Sequence, residues 1–362
     1  PRETVNGVDV HRLPVEHRRG SALRYAWEYL AFALLAFLKV TQLHLRKRLQ
    51  VVEVDNMPDI LVFSSLIAKL TGAKVILYVF DNMPDLYAYL RQVSDRHPVV
   101  RLLTFLEILS AKFADRVVVT QEFPRRMAVA RGVLAEKITV VLNCADENTF
   151  KRRRSIGQTP NTASPDRPFM IATHGVILER YGIQVLIDAM PIIAREIPQA
   201  QVQVFGEGEF RSELEEQARR NGVSERVHFR GFAPLNELLS TLAQADAGYV
   251  GMLNDLVLPN KLMEYVSTGV PVILSRWPTF EYYFPETAAT YFEAGNAEHL
   301  AEAIIWLYRN PEEARARAER ASDLYKQYRW PVQREVYLGV YSDLRAEPRA
   351  GRQRSYPLEP IS

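Results

Sequence analysis

A chain of 362 residues is long enough for two domains, and 48% apolar with 24% charged residues is the composition of a soluble globular protein. A formal charge of +2 is too small to argue for a nucleic-acid partner. The single cysteine, Cys144, excludes an internal disulfide and a cysteine zinc site, which fits a reducing, cytoplasmic compartment. No two of the seven histidines sit at ligand spacing on one predicted helix, so no metal is expected.

The chain opens on Pro1 without a signal-peptide pattern. Its most hydrophobic segment, residues 22–45, is interrupted by Arg24, Glu28, Lys39, Gln42 and His44, which makes it a poor membrane span. It reads as a core helix buried on one side, ended by Arg46-Lys47-Arg48, with peripheral membrane contact as the alternative. Apolar runs at 51–54, 75–79, 116–120 and 138–142 read as strands, with helices at 60–70 and 99–113 between them. Alternation of this kind predicts a parallel sheet covered on both faces, and residues 1–150 are assigned to a first domain.

Residues 151–168 break the pattern with Arg152, Arg153, Arg154 and a polar, proline-containing run, and read as an inter-domain linker. The alternation then restarts. Strands are expected at 169–173, 201–205, 227–229, 247–250 and 270–274. Helices are expected at 182–194, 210–221, 235–243, 261–268, 297–308 and 312–327. Residues 169–327 form the second domain, 328–345 carry final helices returning to the first, and the polar stretch 346–362 is expected to be disordered. The whole is an α/β chain of two Rossmann-like domains facing a central cleft, with ligands beyond the carboxyl ends of the strands.

Three places carry candidate chemistry. Pro259-Asn260-Lys261 starts a helix that Gly269 closes, so free backbone N–H groups, a positive dipole end and a mobile Lys261 charge meet there, a setting suited to phosphate. Glu264 shares the helix face of Lys261 and can accept from a ribose diol. Gly175 and Arg180 lie on the loop after the second domain's first strand, and Arg180 is expected to converge with Lys261 on a diphosphate. In the first domain Asp81 follows a strand end and is suited to sugar hydroxyls or an acceptor nucleophile, whereas Asp59 in the related Asn56-Met57-Pro58-Asp59 reads as a cap. Gly206-Glu207-Gly208 lacks a third glycine at Arg211 and is not a dinucleotide loop.

Taken in order, several motifs resemble the family 4 glycosyltransferases of the GT-B fold: Ala114-Asp115-Arg116, Leu142-Asn143-Cys144, His174-Gly175, Glu179-Arg180-Tyr181-Gly182, Phe205-Gly206-Glu207-Gly208, Val227 to Phe232, Pro259-Asn260-Lys261 with Glu264, and Gly269-Val270-Pro271. The resemblance runs through nearly the whole chain. It implies a retaining, metal-independent transfer, with no cofactor, from a nucleotide-diphosphate sugar to a glycan or lipid-linked oligosaccharide, in surface polysaccharide synthesis at the inner membrane face. It further implies that Arg180 binds the diphosphate with Lys261 and Asn260. Glu264 would hold the ribose, Gly231 and Phe232 the base, and Asp255 the sugar, and in similar sequences a histidine pairs with the aspartate at Asp81 against the donor sugar.

The chain departs from the family pattern at several points. Of the usual glutamate pair only Glu264 is present; the other position is Leu256. Phe80 stands where similar sequences have a histidine, and it neither donates nor accepts. The family's first strand, glycine-rich loop and first helix are expected to precede Pro1. A nucleotide-sugar-binding GT-B protein without transfer activity, and a nucleotide-sugar epimerase, stand as alternatives.

Overall fold

Within each apolar run, successive side chains turn to opposite faces, and both faces are buried, as parallel strands require. The computed structural model of the protein describes residues 2–15, 22–151 and 167–346. The basic run Arg152, Arg153 and Arg154, most of the linker, and residues 347–362 of the expected tail lie outside those residues. The chain divides into two units, Pro1–Val141 with Glu335–Ser362, and Leu142–Arg334. It thus leaves the first unit after Val141 rather than 150, and re-enters it after Arg334 rather than 327.

The first unit begins with a hairpin absent from the sequence reading, β1 (Arg2–Val5) and β2 (Val8–His11), joined through Asn6 and Gly7, both at positive φ. Helix α1 (Ala22–Lys47) follows, then β3 (Val51–Asp55), a 3-10 segment (Asp59–Ser65) and α2 (Leu66–Leu70), where one continuous helix was expected. The chain continues through β4 (Lys74–Val79), α3 (Met83–Arg91), α4 (Pro98–Phe113), β5 (Arg116–Val119), α5 (Glu122–Ala130) and β6 (Ile138–Val140). The four strands β3 to β6 pair in sequence order, all parallel. Val52, Val54, Val75, Leu77, Val117 and Val119 turn to one face, into a core shared with the helical side. Ile76 and Val118 turn to the other, against Val340 and Leu344 of the last helix. On that side Tyr337 and Tyr341 donate to Glu53 of β3 at 2.7 and 2.5 Å.

One expectation fails here. Helix α1 is not a core helix: Trp27 and Leu45 are each 71% exposed, and Leu30, Leu34 and Leu38 also face outward. The stripe through Val40 and His44 attaches it to the unit, with His44 Nε2 within 2.7 Å of Thr71 Oγ1, and Lys47 pairs with Asp9 of β2 at 3.1 Å. By length and composition the stretch Trp27–Lys47 is able to cross a membrane, despite its interrupting charges. The misreading has a physical origin. Periodicity shows which face is apolar but not what covers it, and α1 is apolar on more than one face.

The second unit contains β7 (Phe169–His174), α6 (Ile183–Glu196), β8 (Ala200–Phe205), α7 (Arg211–Arg220), β9 (Val227–Gly231), α8 (Leu235–Gln244) and β10 (Ala247–Val250). Next come α9 (Asn260–Thr268), β11 (Val272–Ser275), α10 (Pro278–Tyr283), β12 (Thr290–Phe292), α11 (Ala297–Arg309) and α12 (Pro311–Tyr325); α13 (Trp330–Ala346) leads into the first unit. The sheet order is β12-β11-β10-β7-β8-β9, entirely parallel. The chain winds outward from β7 in one direction, then returns to β10 and winds in the other. A switch point of this kind, here between β7 and β10, is where open α/β sheets take ligands, beyond the carboxyl ends of the strands. Beneath it Ile171, Ile187, Val202, Val204 and Ile273 are fully buried, each worth about 1.5–3 kcal/mol relative to exposure.

Candidate nucleotide-sugar site

Three segments meet at the switch point of the second unit: the loop after β7, the loop after β10 and the start of α9. Helix α9 begins as the sequence indicates. Pro259 is its N-cap in extended geometry, Asn260 its exposed first residue, and Gly269 its left-handed C-cap at φ +77°.

Lys261 is fixed, not mobile as expected. It is 8% exposed, its Nζ donates to Thr173 Oγ1 at 3.2 Å, and Thr173 in turn donates to the Tyr249 carbonyl at 3.1 Å. Burial pulls its ammonium down from the usual lysine range to about 8, with Glu264 pulling the other way. Arg180, on the 3-10 turn Glu179–Tyr181, points its guanidinium over the Tyr181 ring at 5.4 Å, and Lys261 Nζ lies 5.4 Å from the same centroid. The two cations expected to converge therefore share one aromatic ring. The Arg180 Nε is buried without a partner among the described residues.

Glu264 is not left open for a ligand alone, because its Oε2 pairs with His174 Nε2. His174 Nδ1 lies 3.0 Å from Tyr265 Oη, and that hydroxyl also donates to the Ala172 carbonyl at 3.3 Å. His174, Thr173, Tyr181 and Tyr265 were missed as site residues in the sequence, although His174 carries the same signal as Gly175, a position directly after a buried strand at the switch point.

The loop after β7 is built on glycine. Gly175 is exposed at φ +116°, its N–H donating to Phe205 O at 3.0 Å, and Ile177 N donates to Glu207 O at 2.9 Å. A Cβ on Gly206 would come within 1.9 Å of Gly175 O, and one on Gly208 within 1.9 Å of Ile177 O. The Gly-x-Gly pair is thus explained by two loops running against each other without side chains between them. Gly231 closes β9 and accepts from Gly206 N at 2.8 Å; Phe232 beside it is 88% exposed. In the loop after β10, Asp255 Oδ1 accepts from Thr279 N at 3.2 Å in the first turn of α10, and buried Asn254 leaves Nδ2 without a partner among the described residues.

Asp81 belongs to the other unit. Its carbonyl accepts from Asn56 Nδ2 at 2.7 Å, while Asn56 Oδ1 accepts from Phe80 N at 2.9 Å. Asn56 thereby ties together the two loops with the related Asn-Met-Pro-Asp pattern. Asp59 is not a side-chain cap, since Pro58 holds that position. Its buried carboxyl accepts from Asn56 at 3.1 Å, and burial raises its pKa. Phe80 stacks on Tyr78 with centroids 4.5 Å apart. Among the described residues no group of three or more His, Cys, Asp or Glu is arranged to hold a metal.

Residues 1–144 match the family described as glycosyl transferase 4-like domain, and residues 158–323 match glycosyl transferases group 1. The chain belongs to the family 4-type glycosyltransferases. A GDP-mannose-dependent monoacylated alpha-(1-6)-phosphatidylinositol monomannoside mannosyltransferase of Corynebacterium glutamicum is 26% identical over 210 residues, 56% of this chain and 52% of that protein. The chain spans about half the length of that curated relative. Sucrose-phosphate synthase from Thermosynechococcus elongatus superposes with a TM-score of 0.75 at 18% identity, over 95% of this chain and 85% of that one. Anabaena HepE in complex with UDP gives 0.70 at 18% identity, over 85% and 82%. These two likenesses are of fold, and the family 4-type chain is a GT-B protein of two Rossmann-like units.

Proposed function

We propose that the protein is a glycosyltransferase that moves a sugar from a nucleotide-diphosphate donor, with retention and without a metal, to a glycan or lipid-linked acceptor in surface polysaccharide synthesis. The observation that carries the reading is the placement of Arg180 and Lys261 over one ring, beside the N-terminus of α9 and at the crevice of a doubly wound sheet. Two cations held together, one buried, repel each other until an anion joins them. A diphosphate leaving group gains charge as the glycosidic bond breaks, so the pair stabilises the transition state more than the ground state. Glu264, oriented by His174, takes the ribose hydroxyls; Gly231 and exposed Phe232 take the base; Asn260 contributes its backbone amide, and exposed Gly175, lacking a side chain, lets the donor approach the loop. Asp255 contacts the sugar, and Asp81 serves the acceptor side. The curated relative, which acts on a phosphatidylinositol mannoside by its description, supports a lipid-linked acceptor.

Calorimetric titration with UDP, GDP, ADP and CMP tests the donor site. One nucleotide is expected to bind, and Lys261→Ala to weaken it at least tenfold, about 1.4 kcal/mol. Folded protein that binds none of the four removes the proposal. Phe80 favours a second reading, in which the sugar nucleotide is bound but not transferred. Donor turnover with an acceptor glycan, read by the anomer formed, separates the two.

A further inference from the structure

Gly206 and Gly208 serve close backbone approach, and the side chain between them, Glu207, turns toward the end of β9. Strands β8 and β9 are paired, so Glu207 and Gly231 both stand at the carboxyl ends of neighbouring strands. Two charged side chains lie against the bare face of Gly231: a Cβ there would come within 2.8 Å of Glu207 Oε1 and 3.4 Å of Arg211 Nη1. Arg211, the first residue of α7, binds that Oε1 through Nη1 and Glu215 Oε1 through Nε at 2.8 Å, and its guanidinium lies 5.8 Å from the Phe229 ring centroid. The pair is held in place without being sealed off. The Glu207 and Arg211 side chains are 38% and 28% exposed, and Glu207 Oε2 and Arg211 Nη2 have no hydrogen bond among the described residues.

We propose that Glu207 and Arg211 read the base of the donor and select guanine. Base selection rests on the placement of the base beside Gly231 and Phe232 proposed above. From Arg211 through Oε1 to Oε2 the pair offers a donor followed by two acceptors. The Watson–Crick edge of guanine runs O6, N1–H, N2–H, an acceptor followed by two donors, and meets the pair at every position. Uracil runs O4, N3–H, O2 and sets an oxygen against Oε2. Adenine and cytosine, in either direction, set a ring-nitrogen acceptor against Oε1. A site built to accept from an N–H rejects a base that lacks it, because its own polar group is then left unpaired.

The test is calorimetric titration of the full chain with GDP, IDP, UDP, ADP and CMP. GDP is expected to bind tightest, and IDP, which lacks only the N2 amine, about tenfold more weakly. Glu207→Gln replaces an accepting oxygen by an amide of the same shape. It should bring the ratio of GDP to IDP affinity close to one, while pyrophosphate affinity and the melting temperature stay at wild type. Equal weakening of GDP, IDP and pyrophosphate by Glu207→Gln overturns the proposal and gives Glu207 a structural role. Tightest binding of UDP, ADP or CMP also overturns it, and leaves the donor site standing without this choice of base. Binding of no nucleotide by folded protein removes the donor site and base selection together.

Discussion

Lys261 sits in a place where its charge is costly without a ligand and useful with one. Its folded pKa, about 8, lies below the ordinary lysine value of 10.5, so between those values the unfolded chain holds more protons than the folded one. Folding stability from this group therefore rises with pH across that window, and below it the buried ammonium is a standing penalty. Nucleotide affinity runs the opposite way, because the diphosphate needs the proton: titrations at pH 7 and pH 9 should show weaker binding at the higher value. Lys261→Met keeps the side-chain volume, and is expected to raise the melting temperature while lowering affinity at least tenfold, about 1.4 kcal/mol. A melting temperature that falls instead would show that the Thr173 contact outweighs the burial cost. His174 holds Glu264 on one side and Tyr265 on the other, so His174→Ala should lower nucleoside diphosphate affinity yet leave inorganic pyrophosphate binding near wild type in the same calorimeter.

At the scale of elements, the loops around the crevice depend on close backbone approach. The carbonyl that meets a Cβ on Gly208 is the Ile177 backbone, at 1.9 Å, so neither partner has a flexible end to move. Gly208→Ala is expected to displace the 175–177 loop and destabilise the fold by about 2 kcal/mol or more in denaturant unfolding. Asn296, which caps α11 by accepting from His299 N at 3.0 Å, is a contrasting case away from the site. Asn296→Ala should cost about 1 kcal/mol and leave nucleotide affinity unchanged. The start of α9, with Pro259 ahead of it and Gly269 after it, was readable from residue types, because caps are local chemistry. The 3-10 segment before α2 was not, since the packing of α1 and α4 against it is set by distant residues.

At the scale of the whole molecule, the two units have separate cores and separate sheets. Bound nucleotide stabilises the unit that holds it, by about 2.7 kcal/mol at a hundredfold excess over Kd. Hydrogen-exchange protection on adding nucleotide should therefore concentrate in residues 173–182 and 252–264. Protection confined to the first unit would place the nucleotide elsewhere.

Sequence alone determined the α/β alternation, the positions of every strand of the two parallel sheets except β12, the caps of α9, and the family, because these follow from short-range periodicity, turn chemistry and ordered motifs. It also named Arg180, Lys261 and Glu264. Tertiary structure decided what each of them touches. Lys261 is buried against Thr173, Glu264 is held by His174 from another element, and Arg180 and Lys261 meet over Tyr181. It also decided that α1 faces outward, since exposure depends on which elements the chain brings against a face, and no local pattern records that.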